Sequence, residues 1–120
     1  MEVRTLQGIG VSAGSAYATA VVVAPPVTAP ADEPAPADAD AELVRVKAAF
    51  EQVAGDLDAR AARADKTAAQ ILTATALIAR DKGLHKAAGK HLAAGSGPAT
   101  SVHRAVEEYA TQFEALGDYF

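Results

Sequence analysis

From about residue 40 onward, apolar side chains recur at helical spacing; before that point they do not. Leu43, Val46, Phe50, Val53 and Leu57 alternate three and four apart, which makes one apolar stripe on a helix. Asp38 or Asp40 can cap its start, with Glu42 in the first turn where the helix dipole favours an acid. Ala61, Ala62 and Ala64 carry the helix to about residue 64. A second helix is predicted from Lys66 or Thr67 to Arg80, with Ala68, Ile71, Leu72, Thr75, Ile78 and Ala79 on one face. Leu77 falls off that stripe, so this helix has more apolar surface than one packing face requires. Asp81-Lys82-Gly83 predicts a turn with Gly83 as C-terminal cap, and a short third helix follows over Leu84 to Ala93. Gly95-Ser96-Gly97 breaks the chain, and Pro98 suits the first position of a fourth helix running to about Leu116. Its stripe is Val102, Val106, Tyr109, Phe113 and Leu116. The pattern predicts a mainly α chain: an antiparallel bundle of about four helices over residues 39–120.

The first 23 residues follow a different pattern. Val3 to Leu6 reads as a short strand, Gly8, Gly10 and Gly14 as a turn or bulge, and Ser15 to Val23 as a second strand. Two strands are too few for a sheet. Residues 1–23 are therefore expected to open an incomplete α/β domain whose other strands lie beyond residue 120. Left unpaired, such edges invite partners, so this segment is expected to be mobile, swapped between chains or paired with a neighbour. Residues 24–38 hold five of the six prolines among Ala, Asp and Glu, which predicts an extended Pro/Ala-rich linker.

Composition narrows the picture. Half the residues are apolar, many of them alanine, which favours close helix packing. The net charge of −4 argues against nucleic acid as main partner and is compatible with a basic protein. Absence of cysteine excludes disulfides and thiol chemistry. No apolar run reaches the roughly 18 residues of a membrane span, and no basic region leads into an apolar stretch at the start. A cytoplasmic protein is expected.

Candidate chemistry is sparse. His85 and His91 are six apart and so lie on different helix faces, and none of His85, His91 and His103 has a second metal ligand at suitable spacing. His91 shares a face with Leu84, Ala87 and Ala88 and is expected to be packed or half-buried. His103 stands one turn before Glu107, which suits a surface ion pair or a partner contact. A sharper alternative makes His103 the acceptor of a histidine-phosphotransfer bundle; a blander one makes the chain a non-catalytic helical scaffold. The glycines at 8, 10 and 14 depart from the dinucleotide-binding spacing, and no helix follows them. No carboxylate pair, nucleophile elbow or P-loop is present, so the chain reads as a binding module with no catalytic residue of its own.

Gly8-Ile9-Gly10-Val11-Ser12-Ala13-Gly14 followed by a strand resembles the opening motif of enzyme I of the bacterial phosphoenolpyruvate-dependent sugar phosphotransferase system. Ile71, Ala74, Leu77, Asp81 and Leu84 resemble a helix pattern of that family. Ala99, Val102, Val106, Phe113 and Leu116, ending in Asp118-Tyr119-Phe120, resemble another. The order and spacing cover nearly the whole chain. The resemblance implies a parent enzyme that moves a phosphoryl group from phosphoenolpyruvate, with magnesium, onto its own histidine and then to the phosphocarrier protein HPr for sugar uptake. The family's G-G-x-T-S-H phosphoacceptor motif is not in this chain. The implied role is docking of HPr by a helical bundle, incomplete at its C-terminal side, with Ile71, Thr75, Leu77, Ile78, Asp81, Leu84, His103 and Phe113 on the docking face. Acidic residues that flank this face in the family are partly replaced here by Lys66, Arg80, Lys82 and Gly83. That departure shifts the expected recognition from charge toward apolar contact.

Overall fold

In the computed structural model, which describes residues 2–117, four helices follow an extended N-terminal third. They are α1 (Ala39–Ala61), α2 (Lys66–Ala79), α3 (Lys82–Ala93) and α4 (Pro98–Ala115). Each start follows from a local signal. Asp38 caps α1 by accepting from the amides of Asp40 and Ala41, and Asp65 caps α2 through Ala68 N at 2.9 Å. Pro98 opens α4. The expected cap of α2 is not formed: α2 ends at Arg80 and Gly83 does not take the left-handed conformation, whereas Gly95, after α3, does, at φ +98°. Ser96 N then bonds His91 O at 3.0 Å and Gly95 N bonds Leu92 O at 3.1 Å, a Schellman closure. Gly83 instead lies inside the first turn of α3, because the Asp81 carboxylate caps Leu84 N at 2.9 Å and starts the helix three residues before it.

α1 is the hub, packing against α2, α3 and α4, while α3 also packs against α4. One core cluster joins Val46 of α1, Leu84, Ala88 and Leu92 of α3, and Ala105 of α4. A second joins Ala54 of α1 to Ala76 and Ala79 of α2, with Phe50 and Leu57 at its edge. Alanine makes up the buried part of the second cluster and two of the five buried residues of the first. Small side chains let helix backbones approach closely, and the bulky rows then fall outward. Thus Val53 of the α1 stripe is exposed while Ala54 is buried. On α4 the buried positions are Ser101 and Ala105; Val106, Phe113 and Leu116 are exposed.

The expected strand pair is not formed: among the described residues there is no strand. Val3, Leu6 and Val21 to Val23 are all solvent-exposed. A strand satisfies its backbone only through a neighbour, and a lone hairpin has too little burial to offset its ordering entropy. The radius of gyration is 19.5 Å, against roughly 14 Å for a compact domain of this length, because the first third extends away from the bundle. Among the described residues no helix is long and apolar enough to cross a membrane.

Candidate protein-docking site

The corner between α2 and α3 is the most constructed part of the surface. Asp81 sits between the helices. Its Oδ1 accepts from Leu84 N and, at 2.6 Å, from the Tyr109 hydroxyl of α4. The Tyr109 hydroxyl, ahead of the Leu84 amide, holds the Asp81 carboxyl below the ordinary range; the same bond raises the phenol. Gly83 makes this approach feasible, since a Cβ there would overlap the Tyr109 hydroxyl. One turn along α4, Phe113 meets Tyr109 edge to face, with ring centroids 6.5 Å apart. Tyr109 thus links Asp81 to Phe113, two predicted site residues that lie on different helices.

Arg80 ends α2 and points back to α1. Its Nε and Nη2 donate to the two oxygens of Glu51 at 3.0 and 2.9 Å, and its Nη1 donates to Asp58 at 2.7 Å. Glu51 and Asp58 raise the guanidinium's affinity for its proton, and Arg80 lowers the Glu51 carboxyl. The cation that replaces an expected acid is therefore used inside the bundle. His85 closes the same corner from within: its ring stacks on Phe50 at 4.8 Å, and its Nε2 lies 2.7 Å from Ala79 O. A carbonyl only accepts, so Nε2 carries the proton.

On α2, Ile71, Thr75 and Ile78 form one row at i, i+4 and i+7, with Ile71 63% and Ile78 49% exposed. The Thr75 hydroxyl donates to Ile71 O, so it is already satisfied. Leu77 lies on the other flank of the buried Ala76–Ala79 seam and is 64% exposed. It belongs to neither core cluster. Leu84, at 3% exposure, belongs to the core and supports the corner from beneath; a side chain so placed is withdrawn from any docking surface.

The structure does not gather all eight predicted residues. His103 lies on α4 beside a different feature, an apolar groove of about 670 Å³ between α1 and α4 lined also by Phe50, Val53 and Val106. Its Nε2 is 3.3 Å from Glu107 Oε1, the expected surface pair. His91 is half-buried, 2.6 Å from Glu108. Two residues of consequence went unassigned in the sequence: Tyr109, treated only as part of a packing stripe, and Glu33, treated as linker. A polar-tipped aromatic four residues before Phe113 was the available signal for the first. Nothing local signalled the second. Asp118, Tyr119 and Phe120, part of the third quoted motif, lie outside the described residues.

Comparison with known proteins follows this geometry. Residues 7–120 match the family model of the PEP-utilising enzyme, N-terminal domain. The chain belongs to that family. The match agrees with the resemblance to the N-terminal region of enzyme I carried by the glycine motif and the helix patterns. No curated protein and no solved structure matches the chain. Among the described residues no group of three or more His, Asp or Glu side chains is placed to hold a metal ion.

Proposed function

We propose that this chain is the part of enzyme I that docks the phosphocarrier HPr, so that a phosphoryl group taken from phosphoenolpyruvate passes from the enzyme's histidine to the histidine of HPr. The observation that carries the reading is the α2–α3 corner. Leu77 is a large apolar side chain left in solvent within a turn of Asp81, which Tyr109 joins to Phe113, itself 57% exposed. Exposed apolar groups set around a rigid polar anchor suit a protein partner better than a small substrate. Ile71 and Ile78 extend the apolar surface along α2.

The role of these residues is positioning. Docking converts phosphoryl transfer between two proteins into a step between groups already held in register. No histidine of this chain stands in a G-G-x-T-S-H motif, so the bond-making histidine is assigned to the parent enzyme, a phosphotransferase. Incubation of this chain with phosphoenolpyruvate and magnesium is expected to leave it unphosphorylated. Phosphate on His103, abolished by His103→Gln, would instead make the bundle a phosphoacceptor.

Charges at the corner are mostly satisfied within the bundle, Arg80 by Glu51 and Asp58 and Asp81 by Tyr109. Affinity should therefore depend weakly on salt. The deciding experiment is an NMR titration of the isotope-labelled chain with unphosphorylated HPr. Shifts clustered from Thr75 to Asp81 and at Tyr109 and Phe113 are expected. No shifts at high HPr concentration, with the helices folded, would overturn the reading.

A further inference from the structure

The Pro-rich connector is fastened to the bundle by one side chain. Glu33 accepts from Thr100 N at 2.9 Å and from Ala99 N at 3.1 Å. These are amides in the first turn of α4, which have no acceptor within their own helix. The local sequence supplies none either: Gly97 at the N-cap has no side chain to offer, and Pro98 has no N–H. The cap comes from 66 and 67 residues upstream. A carboxylate there also meets the positive end of the helix dipole. The Thr100 amide, foremost, draws its proton affinity below the ordinary range.

A second observation concerns Gly97. Its φ of −67° is open to any residue, so its backbone does not require glycine. Space does: a Cβ at Gly97 would overlap the Glu33 side chain. The third observation is where the connector runs. Upstream of Glu33, half-buried Ala29 lines the apolar α1–α4 groove together with Ala49 and Val53 of α1 and Val106 of α4, while Val27 stands fully exposed at its mouth.

We propose that residues 29–33 form a strap across one side of the α1–α4 groove, buckled by Glu33 onto the N-terminus of α4. The buckle sets the direction in which the preceding residues leave the bundle, and its release opens the groove. The segment is thus a hinged cover with a single catch, not a free spacer.

NMR of the labelled full chain tests this. In the parent sequence, methyl contacts are expected between Ala29 and Val53 or Val106. In Glu33→Ala these contacts should vanish, and amide exchange at Ala99 and Thr100 should rise at least about fivefold, as for loss of a cap. Amides in the middle of α2 should keep their protection, showing that the bundle remains folded. Gly97→Ala should reproduce the release with Glu33 intact, because the new methyl group takes its seat. The double variant Glu33→Ala/Gly97→Ala should exchange no faster than Glu33→Ala alone, since both changes act on one catch. Groove contacts that survive in Glu33→Ala, or effects of the two changes that add, would overturn the strap.

Discussion

At the residue scale, the α2–α3 corner depends on Gly83, Asp81 and Tyr109 occupying one small volume. Replacing Gly83 by alanine should push the Tyr109 hydroxyl off Asp81. In a chain whose other tyrosines are changed to phenylalanine, ultraviolet titration should then show the Tyr109 pKa falling back toward the ordinary phenol value. Asp81 also makes stability pH-dependent. Its folded pKa is depressed, so its contribution is fully present above the ordinary carboxylate pKa of about 4 and is lost as pH falls through the folded value. In chemical denaturation, Asp81→Asn should flatten that acid limb and leave the slope near neutrality unchanged. On the proposed docking role, Leu77→Asp should weaken HPr binding about tenfold or more while the melting curve stays close to that of the parent, because Leu77 is largely exposed and lies in neither core cluster.

At the element scale, the helices are stitched by their smallest side chains. The periodicity of bulky residues marks where helices are but misorients them. On α2, the predicted face is right at Ala79, which is buried, and at half-buried Ala68 and Leu72, but its Ile71, Thr75 and Ile78 are exposed, and the seam on Ala54 is completed by Ala76, which the stripe left out. Alanine adds little to any hydrophobic pattern, so its packing role is invisible until a partner backbone is seen to come close. The two orientations make opposite predictions. Ala76→Leu should destabilise by about 1–3 kcal/mol through overpacking, whereas Ile71→Ala should change stability by no more than about 0.5 kcal/mol. Denaturant unfolding of the two variants compares them directly. The starts of α1 and α4, by contrast, were legible from sequence, because Asp38 acts on amides within three residues and Pro98 stands at the helix start itself.

At the scale of the whole molecule, α1 connects two alanine-rich clusters that share only Phe50 at their margins. The cluster with α3 and α4 holds two buried leucines, Leu84 and the more fully enclosed Leu92. Leu92→Ala should cost about 2–5 kcal/mol and lower the melting temperature markedly, since its side chain is fully buried among the helices. The extended first third contributes one fastening point, Glu33, and a run of exposed valines at Val21 to Val23.

What the sequence determined by itself was local. Helix number, helix starts, the Pro/Ala-rich connector and the family all follow from signals that act over a few residues or from an ordered set of short motifs. Tertiary structure decided the rest. It chose which face of α2 and α4 to bury, because close approach favours alanine over bulk. It moved Leu84 from the proposed surface into the core, separated His103 from the α2–α3 corner, and recruited Tyr109 to hold Asp81. It also capped α4 with Glu33. Each of these outcomes depends on side chains brought together from distant parts of the chain, where spacing along the sequence carries no information about distance in space.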